Sequence, residues 1–123
     1  MAFLTDRKRA VGMGSAKTGT AHHWNMTVSS YGLLILTPLF LGIIGPMLGK
    51  SYDEVIAYLA RPFPAVVIAL MLIVGFTHFK NGVRVAIEDY VHGYARELAI
   101  IVMTCISYAA MATGLFALAK IAL

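Results

Sequence analysis

The chain has 123 residues, 59% of them hydrophobic and 13% charged, against roughly 45–50% apolar and about 25% charged in ordinary soluble domains. A single small domain buries only about two-thirds of its unfolded surface, so this composition excludes a water-soluble monomer and points to lipid as solvent. The formal net charge of +4 is spread between long apolar runs instead of forming a basic patch interleaved with aromatics, which argues against a nucleic-acid partner and for membrane topology. The one cysteine, Cys105, excludes an internal disulfide or a multi-cysteine metal cluster made by this chain alone.

Residues 1–27 read as a basic cytoplasmic tail carrying Arg7, Lys8, Arg9 and Lys17, with no apolar core of signal-peptide length. From there, charge-free stretches locate the spans, because Asp, Lys or Arg at the bilayer centre costs about 2.5–3.5 kcal/mol on insertion scales. No charge occurs between Lys17 and Lys50, between Arg61 and Lys80, or between Glu97 and Lys120. The predicted fold is an all-α membrane protein with transmembrane helices over about 28–49, 63–90 and 95–121, the transmembrane domain occupying 28–123. Pro38 should kink the first helix, and Gly49 should stop it. Ser51 followed by Asp53 and Glu54 starts a short interfacial helix over about 51–59. Pro62 and Pro64 suit the first turn of the second helix, and Gly93 divides the second from the third.

The second helix extends to Tyr90 because the long stems of Lys80 and Arg84 carry their charges towards water. Counting Lys and Arg on each side puts the N-terminus and the second connection in the cytoplasm and the C-terminus in the periplasm.

That second helix alone brings ionisable groups into the membrane region, which makes it the candidate functional element. At 100° per residue, His78, Gly82, Val85 and Asp89 share a face, with Gly75 on the same side. Glycines around a histidine leave room for a large flat group such as haem, and equally for a packed neighbouring helix; the spacing suits both. A haem bound at His78 with two axial ligands takes its second ligand from another polypeptide, since His92 is about 21 Å further along and His22 and His23 precede the first span. About 17 Å beyond His78, Asp89 and Tyr90 reach the interface. Tyr90 is either an aromatic-belt anchor or, with Asp89 beside it, a donor to the carbonyl of a quinone. Glu88 is expected on the rim, paired with Arg84.

His78-Phe79-Lys80-Asn81-Gly82 followed by Asp89-Tyr90-Val91-His92 resembles the histidine, ten residues, Asp-Tyr pattern of the small hydrophobic membrane anchor subunit of succinate dehydrogenase, respiratory complex II. The N-terminal segments Thr5-Asp6-Arg7-Lys8-Arg9-Ala10, Gly14-Ser15-Ala16 and His22-His23-Trp24, then Ser29-Ser30 and Leu36-Thr37-Pro38-Leu39, are similar to alphaproteobacterial members.

The resemblance implies a bacterial inner-membrane subunit, non-catalytic alone, with no catalytic residue of its own. Its implied partners are a larger membrane anchor, an iron–sulfur subunit, a flavoprotein subunit and lipid. It implies haem b shared with the larger anchor, His78 as axial iron ligand, ubiquinone as bound substrate, and Tyr90 and Asp89 at the quinone. Thr27 stands where some relatives have an arginine, so Arg84, His22 or His23 become the candidates for haem propionates. A fumarate reductase anchor and a small proton-coupled transporter are the competing readings.

Overall fold

The computed structural model describes residues 5–15 and 19–123. Lys17, counted with the basic tail, and Ala16 of the resemblance lie outside the described residues. The described residues form helices and connections without strands: α1 (Asp6–Val11), α2 (Gly19–Ile44) continuing into a 3₁₀ turn (Gly45–Met47), α3 (Tyr52–Leu59), α4 (Pro62–Tyr90) and α5 (Tyr94–Ala122). Three of these stretches, Gly19–Met47, Pro62–Tyr90 and Tyr94–Ala122, are long and apolar enough to cross a membrane.

Local chemistry sets the ends. Arg61 caps α4 and Pro62 occupies its first turn, where a missing N–H removes no helical bond. Gly93, at φ +67°, takes a left-handed conformation that lets α5 start immediately after α4 ends. Ser51 and Glu54 form a reciprocal capping box at the start of α3: the Ser51 amide donates to Glu54 Oε2 at 3.0 Å, and the Glu54 amide donates to Ser51 Oγ at 3.4 Å. The Ser51 amide bond, then the Ser51 hydroxyl and lastly Lys50 hold the exposed Glu54 carboxyl below its ordinary value, against a small opposing desolvation.

Three boundaries differ from the sequence reading. The first long helix starts at Gly19 rather than at 28, because Ala21 to Thr27 contains neither proline nor glycine to stop a helix extending beyond the apolar run. Its regular part ends at Ile44, not 49. Pro46 cannot supply the next N–H and disfavours α geometry at Gly45, so the chain tightens into the 3₁₀ turn. The third difference is α1, which lies inside the expected tail; Thr5 Oγ1 accepts from the Lys8 amide at 3.3 Å as its cap. Pro38 lies within α2.

The long helices form a layer with α4 in the middle, packed by α2 on one side and α5 on the other. Glycines permit the close approaches. A Cβ on Gly32 of α2 would lie 3.2 Å from Val74 Cγ1, and one on Gly114 of α5 would lie 3.1 Å from Leu72 Cδ1. Little is buried inside this layer: Ile43, Val67 and Leu118 are its buried large apolar residues, while Leu34, Leu41, Ile101 and Phe116 point outward. Such faces suit lipid or other membrane helices, not water. Ser107 is also buried, and its hydroxyl donates to Met103 O at 2.7 Å, so it adds no unsatisfied donor. At 29 residues, α4 extends about 43 Å, longer than a hydrocarbon core of about 30 Å. Its polar C-terminal turns therefore suit the headgroup region.

Candidate functional site

His78 sits half-buried on α4 at the junction with α2. Its Nδ1 lies 2.9 Å from Ser29 Oγ, and the same hydroxyl donates to Met26 O at 2.9 Å. Among the described residues, Nε2 of His78 makes no hydrogen bond. One turn earlier, a Cβ on Gly75 would meet nothing within 4 Å; one on Gly82 would meet only Met26 Cε at 3.8 Å. Gly75 opens an apolar hollow of about 290 Å³ walled by Met71, Leu72, Phe76 and Phe79. The histidine thus combines a braced ring with two glycines on its own helix that add no bulk beside it.

The opposite side of the α2–α4 junction mixes polar side chains with the apolar Val28, Ile73 and Val74. A groove of about 700 Å³ is lined by His22, Asn25 and Ser29 from α2 and by Thr77, Lys80, Asn81 and Arg84 from α4. His22 Nε2 is buried and has no hydrogen-bond partner among the described residues, whereas His23 is exposed. Of the candidates for propionate contacts, the fold gathers His22 and Arg84 in one groove and leaves His23 outside it. Both cations on α4 are already engaged. Lys80 Nζ donates to Tyr108 Oη of α5 at 3.2 Å and lies 5.1 Å from that ring's centroid. Arg84 Nε donates to Glu88 Oε1 at 2.8 Å, the rim pair expected from their spacing.

Asp89 and Tyr90 are the last two residues of α4. Both are exposed, Tyr90 at 84%, and the Val91 amide closes the helix on Ile87 O at 2.8 Å. The exposed phenol and carboxylate can meet a polar ligand at the membrane surface. They stand about 17–18 Å along the axis from His78, so the structure separates an imidazole region from a phenol–carboxylate end on the same helix. Two partnerships escaped the sequence reading. Ser29 against His78 and Tyr108 against Lys80 each join different long helices, and nothing in their spacing along the chain links them.

A central helix flanked by two others, with charged residues confined to its polar end, defines a multi-pass helical membrane protein. The model of the succinate dehydrogenase/fumarate reductase transmembrane subunit family matches residues 2–111. The chain belongs to that family. It is 46% identical over 123 residues, covering 100% of this chain and 95% of the relative, to the succinate dehydrogenase hydrophobic membrane anchor subunit of Paracoccus denitrificans. It is 32% identical over 105 residues to the subunit of the same name from Rickettsia conorii (strain ATCC VR-613 / Malish 7), covering 81% and 82% of the two chains. No solved structure matches.

Proposed function

We propose that the chain is the small membrane anchor of a succinate:ubiquinone oxidoreductase, binding haem b through His78 and ubiquinone through Tyr90 and Asp89. The observation that carries this reading is the arrangement on α4: a glycine-flanked imidazole with one ring nitrogen already braced, and a phenol–carboxylate pair free at the helix end. The names of both relatives support succinate dehydrogenase over a fumarate reductase anchor.

The residues fit a haem. Nδ1 is occupied by Ser29, the other nitrogen is the one available for iron, and the hollow at Gly75 is apolar. Haem b, when bound, supplies a one-electron carrier. His78 would hold the haem together with a residue of the larger anchor subunit, and the iron–sulfur and flavoprotein subunits would deliver electrons from succinate. His22 and Arg84, the candidates for the propionates, line the groove on the opposite side of the α2–α4 junction from that hollow, and Arg84 is paired with Glu88, which sets both apart from a haem seated at Gly75. At the polar end, the Tyr90 hydroxyl donates to a quinone carbonyl oxygen and Asp89 relays protons from water, as two electrons and two protons convert quinone to quinol. With the basic tail and the α4–α5 connection in the cytoplasm of a bacterial inner membrane, those protons come from the side on which the electrons arrive.

Purification in mild detergent, with subunit identification and a visible spectrum, tests partners and pigment together. His78→Leu is expected to deplete haem from the assembled complex; full occupancy with an unchanged bis-histidine spectrum refutes the ligand assignment.

A further inference from the structure

We infer that Ser29 is a positioning residue that fixes the tautomer of His78, keeping the ring proton on Nδ1 and the lone pair on Nε2. The inference rests on the haem reading above and assigns a role to a residue on a different helix from the imidazole. A serine hydroxyl carries a single hydrogen. Ser29 Oγ lies 2.9 Å from Met26 O and 2.9 Å from His78 Nδ1. The carbonyl can only accept, so the contact with Met26 uses the hydroxyl hydrogen. Ser29 therefore turns an oxygen lone pair to the imidazole, and that contact is a hydrogen bond only when Nδ1 carries a proton. In a neutral imidazole this makes Nε2 the unprotonated nitrogen, the form that ligates a metal.

Burial strengthens the selection. Ser29 is 9% exposed, which limits the water available to replace either bond. Ser30 Oγ also donates to Met26 O at 2.9 Å. It is exposed and, among the described residues, makes no hydrogen bond to the ring, so its bond to the same carbonyl leaves Ser29 as the acceptor facing Nδ1. The Nδ1–H···O bond also fixes the ring plane and makes the imidazole a stronger donor, the usual effect of a hydrogen-bonded partner behind a metal-bound histidine.

The test uses the assembled, detergent-purified complex carrying Ser29→Ala, Ser29→Thr, Ser29→Cys or His78→Leu, and measures haem per complex, haem affinity and haem midpoint potential. Ser29→Ala is expected to weaken haem affinity about 10- to 100-fold and to raise the potential, because a less electron-rich ring favours the ferric state less. Ser29→Thr, which keeps the oxygen, restores both towards wild type. Ser29→Cys, a weak acceptor of similar shape, behaves as alanine does and supplies the measurement should the alanine complex fail to assemble. Wild-type affinity and potential in the assembled alanine or cysteine variant overturn the role of Ser29, as does a threonine variant equally impaired. Loss of haem in His78→Leu beside unchanged alanine and cysteine variants leaves the ligand reading standing and removes only Ser29. A bis-histidine spectrum that survives His78→Leu overturns both.

Discussion

Filling the space at Gly75 separates a haem face from a lipid-facing groove. A Cβ at Gly75 meets nothing within 4 Å in the chain, so the backbone there accepts a side chain, and Gly75→Leu gains up to about 1 kcal/mol of intrinsic helix preference. The added isobutyl group enters the apolar hollow of about 290 Å³, one helical turn and about 4.5 Å from His78. If a macrocycle uses that space, overpacking costs about 1–3 kcal/mol, equivalent to about 5- to 150-fold weaker haem affinity. Gly42→Leu on α2 is the matched control, since a Cβ there also meets nothing within 4 Å and the residue lies far along α2 from Ser29. Both variants are purified as complexes, their subunit stoichiometry is verified, and haem is titrated by visible absorbance. Gly75→Leu should lose haem affinity and Gly42→Leu should retain it. Wild-type haem affinity in an assembled Gly75→Leu complex refutes the placement of the porphyrin against this glycine.

Two further outcomes test the polar end of α4 and the start of the short helix α3. Tyr90→Phe is expected to slow quinone reduction about 2- to 10-fold, the loss of one neutral hydrogen bond of about 0.5–1.5 kcal/mol, while succinate reduction of a soluble dye stays at the wild-type rate; equal quinone rates in the two proteins remove Tyr90 from the site. The Glu54 carboxyl titrates below its ordinary value because the folded chain donates the Ser51 amide to it. Its stabilisation of the α3 start is therefore complete above the ordinary carboxylate range and lost as pH falls through the lowered value. The NMR shift of the Ser51 amide should follow that acid transition in the wild type and lose it in Glu54→Gln; a transition of the same size in the variant would place its origin elsewhere.

The three long helices and much of the site follow from rules local to the chain. Charged residues bracket the apolar runs at Lys50, Arg61, Lys80 and Glu97, and the energetic cost of a buried charge makes such limits readable without any fold. The capping box at Ser51 and the Arg84–Glu88 pair span three and four residues, distances that helical geometry alone brings together. The same geometry orders His78, Asp89 and Tyr90 along α4. Helix ends were less legible: Gly19 to Thr27 lacks the strong hydropathy that marks a span, yet it is continuous with one.

What tertiary structure decided was which face of each helix meets which neighbour. Helices α2 and α5 are apolar nearly all round, so their sequences carry no stripe that declares an inward side. Side-chain fit settles the rotation instead, through Gly32 against Val74 and Gly114 against Leu72. That rotation brings Ser29 to His78 across 49 residues of chain, brings Tyr108 to Lys80, and puts His22 in one groove with Arg84. Sequence thus determined where the chain crosses lipid and which reactive groups it carries, because burial cost and helical period act locally. Only packing between helices determined the partner of each group, because interhelical register depends on surfaces that are far apart in the chain.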